Sequence, residues 1–107
     1  MPYYAVIGFD PEPHNMAARD RRRPEHSAYV LGNDDMIRIA AAMLDGQGNQ
    51  CGSIYIFQAD NEAQVARWVA REPFASNAIY RELKVVRVAL SLSKLPPIAW
   101  RPPDPDD

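Results

Sequence analysis

The stretch from Met36 to Gln58, MIRIAAAMLDGQGNQCGSIYIFQ, decides the fold. In its first part, Met36 to Leu44, the residues Ile37, Ile39, Ala41 and Met43 fall on one side, and Arg38 sits among smaller residues on the other. Alternation with period two marks a strand, although alanines are weak strand formers. Asp45-Gly46-Gln47-Gly48-Asn49 has the composition of a turn, and Gly52 to Gln58 resumes as a strand of isoleucine and aromatic residues. Two such runs across a short polar turn form an antiparallel hairpin. The segments on either side must therefore complete its sheet.

Upstream, Tyr3 to Phe9 is apolar on both alternating faces, with Tyr3, Ala5, Ile7 and Phe9 on one and Tyr4, Val6 and Gly8 on the other. That is the pattern of a strand covered on both sides. Asp10-Pro11-Glu12-Pro13 breaks it. Met16 to Arg22 offers a turn or two of helix, but proline is best tolerated at a first helical position, so the main first helix is expected to start at Pro24. It would run to Gly32-Asn33-Asp34, with His26 in its first turn.

Downstream, Asp60 or Asn61 caps a second helix with Val65, Trp68 and Val69 on one stripe, and Pro73 ends it at Glu72. A short turn carries Ala75 to Tyr80. Leu83 to Leu92 forms the last strand, in which Val86, Val88, Leu90 and Leu92 alternate with Lys84 and Arg87. The order is β-α-β-β-α-β, an α+β, ferredoxin-like arrangement of a four-stranded antiparallel sheet with two helices on one face. Those helices cover one face only. Pairing of the other face with a second copy, in a homodimer, would bury it.

With 107 residues the chain is sized for one compact domain, read here as residues 1–94, followed by a Pro/Asp-rich tail, 95–107. Trp100 in that tail could dock on its own or a partner subunit. Hydrophobic content of 47% with 24% charged residues is that of a globular protein. A net charge of -2 argues against nucleic acid as a partner, despite the run Arg19, Arg21, Arg22 and Arg23. Cys51 is the only cysteine, which fits a reducing cytoplasm. No run approaches the roughly 18 apolar residues of a membrane span. His14 and His26 are far apart, and no Gly-rich phosphate loop follows a strand, so neither a metal nor a cofactor is indicated.

His26, at the start of a helix by this reading, would feel the positive end of the dipole, which disfavours imidazolium and leaves a ring able to accept a proton. Standing alone, it is more simply a half-buried histidine bonded to backbone. Glu72 in the last turn of a helix would face the negative end, at a cost of about 0.3 to 1 kcal/mol. Either solvent and Arg71 screen it, or it orients His26 and acts beside it. Arg23 either clamps an anionic group or pairs with Asp20 or Glu25; Arg19, Arg21 and Arg22 are assigned to the surface. Ser53 follows Gly52 where a ligand could approach closely, yet it lacks the flanking pattern of a nucleophile elbow. Phe74 and Tyr80 either wall a cleft or belong to the core.

Arg23-Pro24-Glu25-His26, Gly52-Ser53 and Glu72-Pro73-Phe74, in that order, together with Tyr3-Tyr4-Ala5-Val6-Ile7-Gly8, resemble the YCII-related family of small dimeric α+β proteins. The resemblance runs from about Pro2 to Leu92. It implies a cleft whose polar centre is a helix-borne histidine, matched by His26, and an aspartate in an Asp-Pro-aromatic setting, where this chain has Glu72. Ala41-Ala42-Met43 also replaces the family's usual Ala-Gly-Pro. The resemblance draws Arg23 towards the site, where Ser53, Phe74 and Tyr80 are the other candidate substrate-binding residues, with strand edge the alternative for Ser53 and core for the two aromatics. The implied activity is cofactor-independent acid–base chemistry, of lyase, isomerase or dehydrohalogenase type, on a small organic, anionic or aromatic-derived molecule. The alternative is a non-catalytic binding or accessory module using the same cleft. A structure with His26 and Glu72 pointing to separate surfaces would remove both.

Overall fold

A computed structural model describes residues 2–11 and 16–94 of the chain; the tail 95–107, with Trp100, and His14 lie outside the described residues. The elements are β1 (Tyr3–Phe9), α1 (Met16–Gly32), β2 (Ile37–Leu44), β3 (Gln50–Gln58), α2 (Glu62–Arg71), α3 (Pro73–Ser76) and β4 (Glu82–Val88). The strands form one antiparallel sheet in the order β2-β3-β1-β4. This is the ferredoxin-like topology expected from the hairpin. Pairing Met43 with Gly52 and Ala42 with Ser53 fixes the β2–β3 register, and the irregularities fall at its two ends.

Register separates the two faces of the sheet. Tyr4 pairs with Phe57 and Val6 with Tyr55, and all four belong to the core beneath the helices, with Val30 of α1 and Val65, Trp68 and Val69 of α2. Trp68 meets Tyr55 and Phe57 edge-on, and its indole N–H donates to the Asn33 carbonyl at 2.7 Å. Tyr29 donates a hydrogen bond to the Trp68 backbone carbonyl, so Trp68 ties α2 both to α1 and to Asn33, the residue that follows α1. The opposite face carries Tyr3, Ile7 and Phe9 against Ile54, Ile56, Lys84, Val86 and Val88, uncovered by any described helix. Alternation on both faces of β1 thus has one face filled and one left open.

The helix containing His26 begins at Met16, eight residues before the expected start at Pro24. Pro24 lies on the exposed side of α1. Asp20, whose carbonyl the missing N–H would have bonded, is exposed as well, so water can take the place of that bond and the usual penalty of an internal proline is reduced. The buried residues Arg19, His26 and Val30 then form a stripe along the long helix. Three smaller corrections follow from tertiary contacts. β3 starts at Gln50, two residues early. The segment after Glu72 winds into the short helix α3. β4 ends at Val88, leaving Leu90 and Leu92 exposed beyond the sheet. No described helix is long and apolar enough to cross a membrane.

Candidate functional site

His26 and Glu72 meet. His26, in the third turn of α1, places Nδ1 against Glu72 Oε1, and both side chains are buried. The helix-dipole argument for His26 therefore fails, because a dipole acts within the terminal turn. The expected cost at Glu72 is also reversed. Glu72 closes α2 and caps α3, and its carboxylate accepts N–H bonds from Phe74 (Oε1, 3.0 Å) and Ala75 (Oε2, 3.0 Å). A carboxylate at a helix start is favourably placed. Fixed by two backbone donors, it can hold an imidazole in one orientation. With Nδ1 engaged, Nε2 has no hydrogen-bond partner among the described residues.

Phe74 is the surface on which the site is assembled. Its ring stacks on the imidazole of His26, 4.0 Å between centroids and nearly parallel, and Tyr80 approaches it edge-on at 6.4 Å. The Arg19 guanidinium carbon lies 4.9 Å from the same centroid. Arg19 is the residue that sequence reasoning misplaced. Assigned to the surface, it is 1% exposed and forms a two-pronged pair with Asp10, Nε to Oδ2 at 2.6 Å and Nη2 to Oδ1 at 2.8 Å. Asp10 itself is held at the end of β1 by its N–H donating to the Cys51 carbonyl. The one available signal was spacing: Arg19 and His26 are seven apart, two helical turns, once α1 is read through Pro24.

Arg19 Nη2 also reaches Ser53 Oγ at 3.3 Å, and Tyr80 OH hydrogen-bonds the same oxygen at 2.9 Å. Gly8 makes room for this. A Cβ there would lie 2.7 Å from the Tyr80 ring, so any larger residue would push the phenol off Ser53. Burial, and then the negative charge of Glu72, raise the Tyr80 pKa above its ordinary value. Burial raises the Tyr55 phenol likewise.

Arg23 is not drawn against His26. Its Nη2 donates to Gln50 Oε1 (3.0 Å) and to Asp20 Oδ1 (3.2 Å), while Nε and Nη1 are buried with no partner among the described residues. No group of three His, Cys, Asp or Glu side chains suited to a metal ion occurs among the described residues.

The sequence pattern of the YCII-related domain matches residues 1–89. The chain belongs to the YCII-related family. No curated protein matches it by sequence. Among solved structures, 5-chloro-2-hydroxyhydroquinone dehydrochlorinase from Burkholderia phenoliruptrix AC1100, in complex with 2,5-dihydroxybenzoquinone, is similar with a TM-score of 0.73 and 20% identity. That match covers 81% of this chain and 93% of the dehydrochlorinase. A putative antibiotic biosynthesis monooxygenase from Bacteroides thetaiotaomicron VPI-5482 is similar with a TM-score of 0.52 and 13% identity, covering 92% of this chain and 95% of the other. At these identities the YCII-related chain shares a fold with them, and the match extends no further.

Proposed function

We propose that this YCII-related protein is a cofactor-independent acid–base enzyme acting on a small organic molecule, with His26 as the base. The observation that carries the reading is the His26 Nδ1 contact with a Glu72 carboxylate that two backbone N–H groups already fix, leaving Nε2 without a partner among the described residues. In the proposed step Nε2 takes a proton from the substrate, Nδ1–H stays on Glu72, and the carboxylate offsets the positive charge the ring acquires. Return of the proton, or departure of a leaving group, completes an isomerase, lyase or dehydrohalogenase-like reaction. Phe74 and Tyr80 wall the site. Arg23 anchors a negative charge, since its Nε and Nη1 donors are buried without a partner among the described residues and a ligand oxygen would relieve that cost. The dehydrochlorinase's complex with a dihydroxybenzoquinone supports a small oxygen-bearing ring as the first class to test.

The working form we propose is a homodimer in the reducing cytoplasm, with the open face of Tyr3, Ile7, Ile54 and Val86 covered by a second copy. Sedimentation velocity tests it: a monomer at micromolar concentration would refute it. Cys51 as the only cysteine supports the compartment.

A metabolite-library screen of wild type against His26→Ala, reading both thermal stabilisation and turnover, tests the activity. Turnover by wild type that drops by about 100-fold or more in His26→Ala supports the enzyme. Stabilisation without turnover supports the second reading, a non-catalytic binding module. That reading is favoured by one observation: Glu72 already has a structural role as the α3 cap.

A further inference from the structure

Among the described ring pairs, His26 on Phe74 has a geometry of its own. Tyr29 with Trp68, Tyr55 with Trp68, Phe57 with Trp68 and Phe74 with Tyr80 meet edge to face, with centroids 4.9 to 6.4 Å apart. Tyr55 with Phe57 is tilted by 29° at 5.6 Å. The His26 and Phe74 planes differ by 5°, and their centroids are 4.0 Å apart. Two neutral rings favour an edge or an offset at about 4.5 to 7 Å, because in a close parallel stack their negative faces meet. A cation reverses that preference, since the negative face of a phenyl ring attracts it. The stack therefore suits an imidazolium better than a neutral imidazole. The same ring already takes one cation, the Arg19 guanidinium, whose carbon lies 4.9 Å from the Phe74 centroid. Phe74 is 1% exposed, so water screens neither contact.

We infer that Phe74 is a positioning residue for proton transfer, whose ring face stabilises the positive charge that His26 acquires at Nε2. The inference rests on the acid–base reading and gives the charged base a second support beside Glu72. In the step, the proton passes from the substrate to Nε2, its bonding electron pair stays on the substrate, and the imidazole becomes a cation held by a carboxylate at Nδ1 and a π face on one side. Both supports come from one short segment. Glu72 is the cap of α3 and Phe74 its second residue, and the Phe74 N–H donates to Glu72 Oε1, so carboxylate and ring are set together. The other charged and titratable groups around the pair are already balanced or neutral. Asp10 neutralises Arg19, Arg23 pairs with Asp20, and burial keeps the protons on Tyr55 and Tyr80. One face of the imidazole is thereby closed, and the substrate reaches Nε2 from the ring edge or the other face.

The test replaces Phe74 site-specifically by 4-fluoro-, 3,5-difluoro- and 3,4,5-trifluorophenylalanine, which drain negative charge from the ring face and leave its shape nearly unchanged. The readout is the pH midpoint of the His26 Cε1–H signal in NMR, told from that of His14 by its absence in His26→Ala. The midpoint is expected to fall in steps along the series, by about 0.5 to 1 pH unit in all, the scale of one desolvated cation–π contact. The ¹⁵N spectrum should keep the Nδ1–H tautomer throughout, showing that the carboxylate has not moved. The same fluorines at Phe57, whose ring partners are Tyr55 and Trp68, should leave the midpoint in place. Packing alone predicts no steps. A midpoint that stays or rises, an equal fall with Phe57, or loss of the Nδ1–H tautomer would each overturn the inference. An unmoved midpoint with turnover still lost in His26→Ala refutes the role of Phe74 and leaves the acid–base reading standing. Steps in a protein that turns nothing over uphold the support of the imidazolium and remove the enzyme. A His26 ring that takes no proton between about pH 9 and 5 in the folded protein counts against both.

Discussion

Two buried acid–base pairs flank the Phe74 ring, and they are built differently. In Asp10–Arg19 the carboxylate oxygens each receive one N–H, and the charges are matched. In His26–Glu72 the carboxylate is shared between an imidazole and the first N–H groups of α3, and one imidazole nitrogen is left over. The first pair is a strut whose bonding between the two partners is complete. The second holds the imidazole through Nδ1 and leaves Nε2 without a partner among the described residues. Burial alone therefore does not mark chemistry; an incomplete hydrogen-bond count does.

The comparison breaks most visibly if the strut is cut. Arg19→Ala leaves the Asp10 carboxylate, 0% exposed, without its cation, and should cost about 3–5 kcal/mol in urea unfolding at pH 7. The double replacement Asp10→Leu with Arg19→Met should recover much of that loss, as buried ion pairs exchanged for apolar groups often do. Failure to recover would mean that Arg19 is held by more than charge. Glu72→Gln should cost less, about 1–2 kcal/mol, because an amide can still accept one of the two N–H bonds of α3. Its sharper readout is the ¹⁵N spectrum of His26. Wild type is expected to show the Nδ1–H tautomer, and the variant a mixture.

The alkaline limb of stability reports on the Arg19 side. Tyr80 and Tyr55 have pKa values raised by burial. Above the ordinary tyrosine value of about 10 the unfolded chain loses these protons first, so the native state is progressively disfavoured. Stability should be constant with respect to these groups below pH about 10 and fall above it, by up to about 1.4 kcal/mol per pH unit for each tyrosine. Thermal melts between pH 8 and 11 should show a shallower decline in Tyr80→Phe; an identical slope would mean that Tyr80 ionises freely. The smallest effect is expected in the turn that delivers Tyr80. Ala78 has a φ of 55°, a left-handed conformation that costs a side chain about 1 kcal/mol. Ala78→Gly should stabilise by about 0.5 kcal/mol after its larger unfolded-state entropy is counted.

Element order was legible because alternation in Met36–Gln58 and the stripe Val65, Trp68, Val69 are local patterns that tertiary packing only reinforces. Helix α1 was misread because proline is a strong punctuation mark in sequence, and only the fold shows that Pro24 falls on a solvent-facing side. The candidate pair His26 and Glu72 was suggested by family resemblance, since 46 residues separate its members and no spacing rule spans them. Asp10 and Arg19 were the least legible, because the only signal, the seven-residue spacing of Arg19 from His26, needs α1 to be read through Pro24. Charged residues default to the surface unless a partner is known, and here the partner lies across the break between β1 and α1.

One oxygen atom, Oε1 of Glu72, both closes the start of a helix and meets an imidazole. On the proposed acid–base reading, selection for a stable fold and selection for a reactive histidine therefore act on the same atom. A descendant that abandoned the chemistry would still retain the carboxylate for the sake of the joint between α2 and α3, so persistence of this residue in evolution measures architecture before it measures activity.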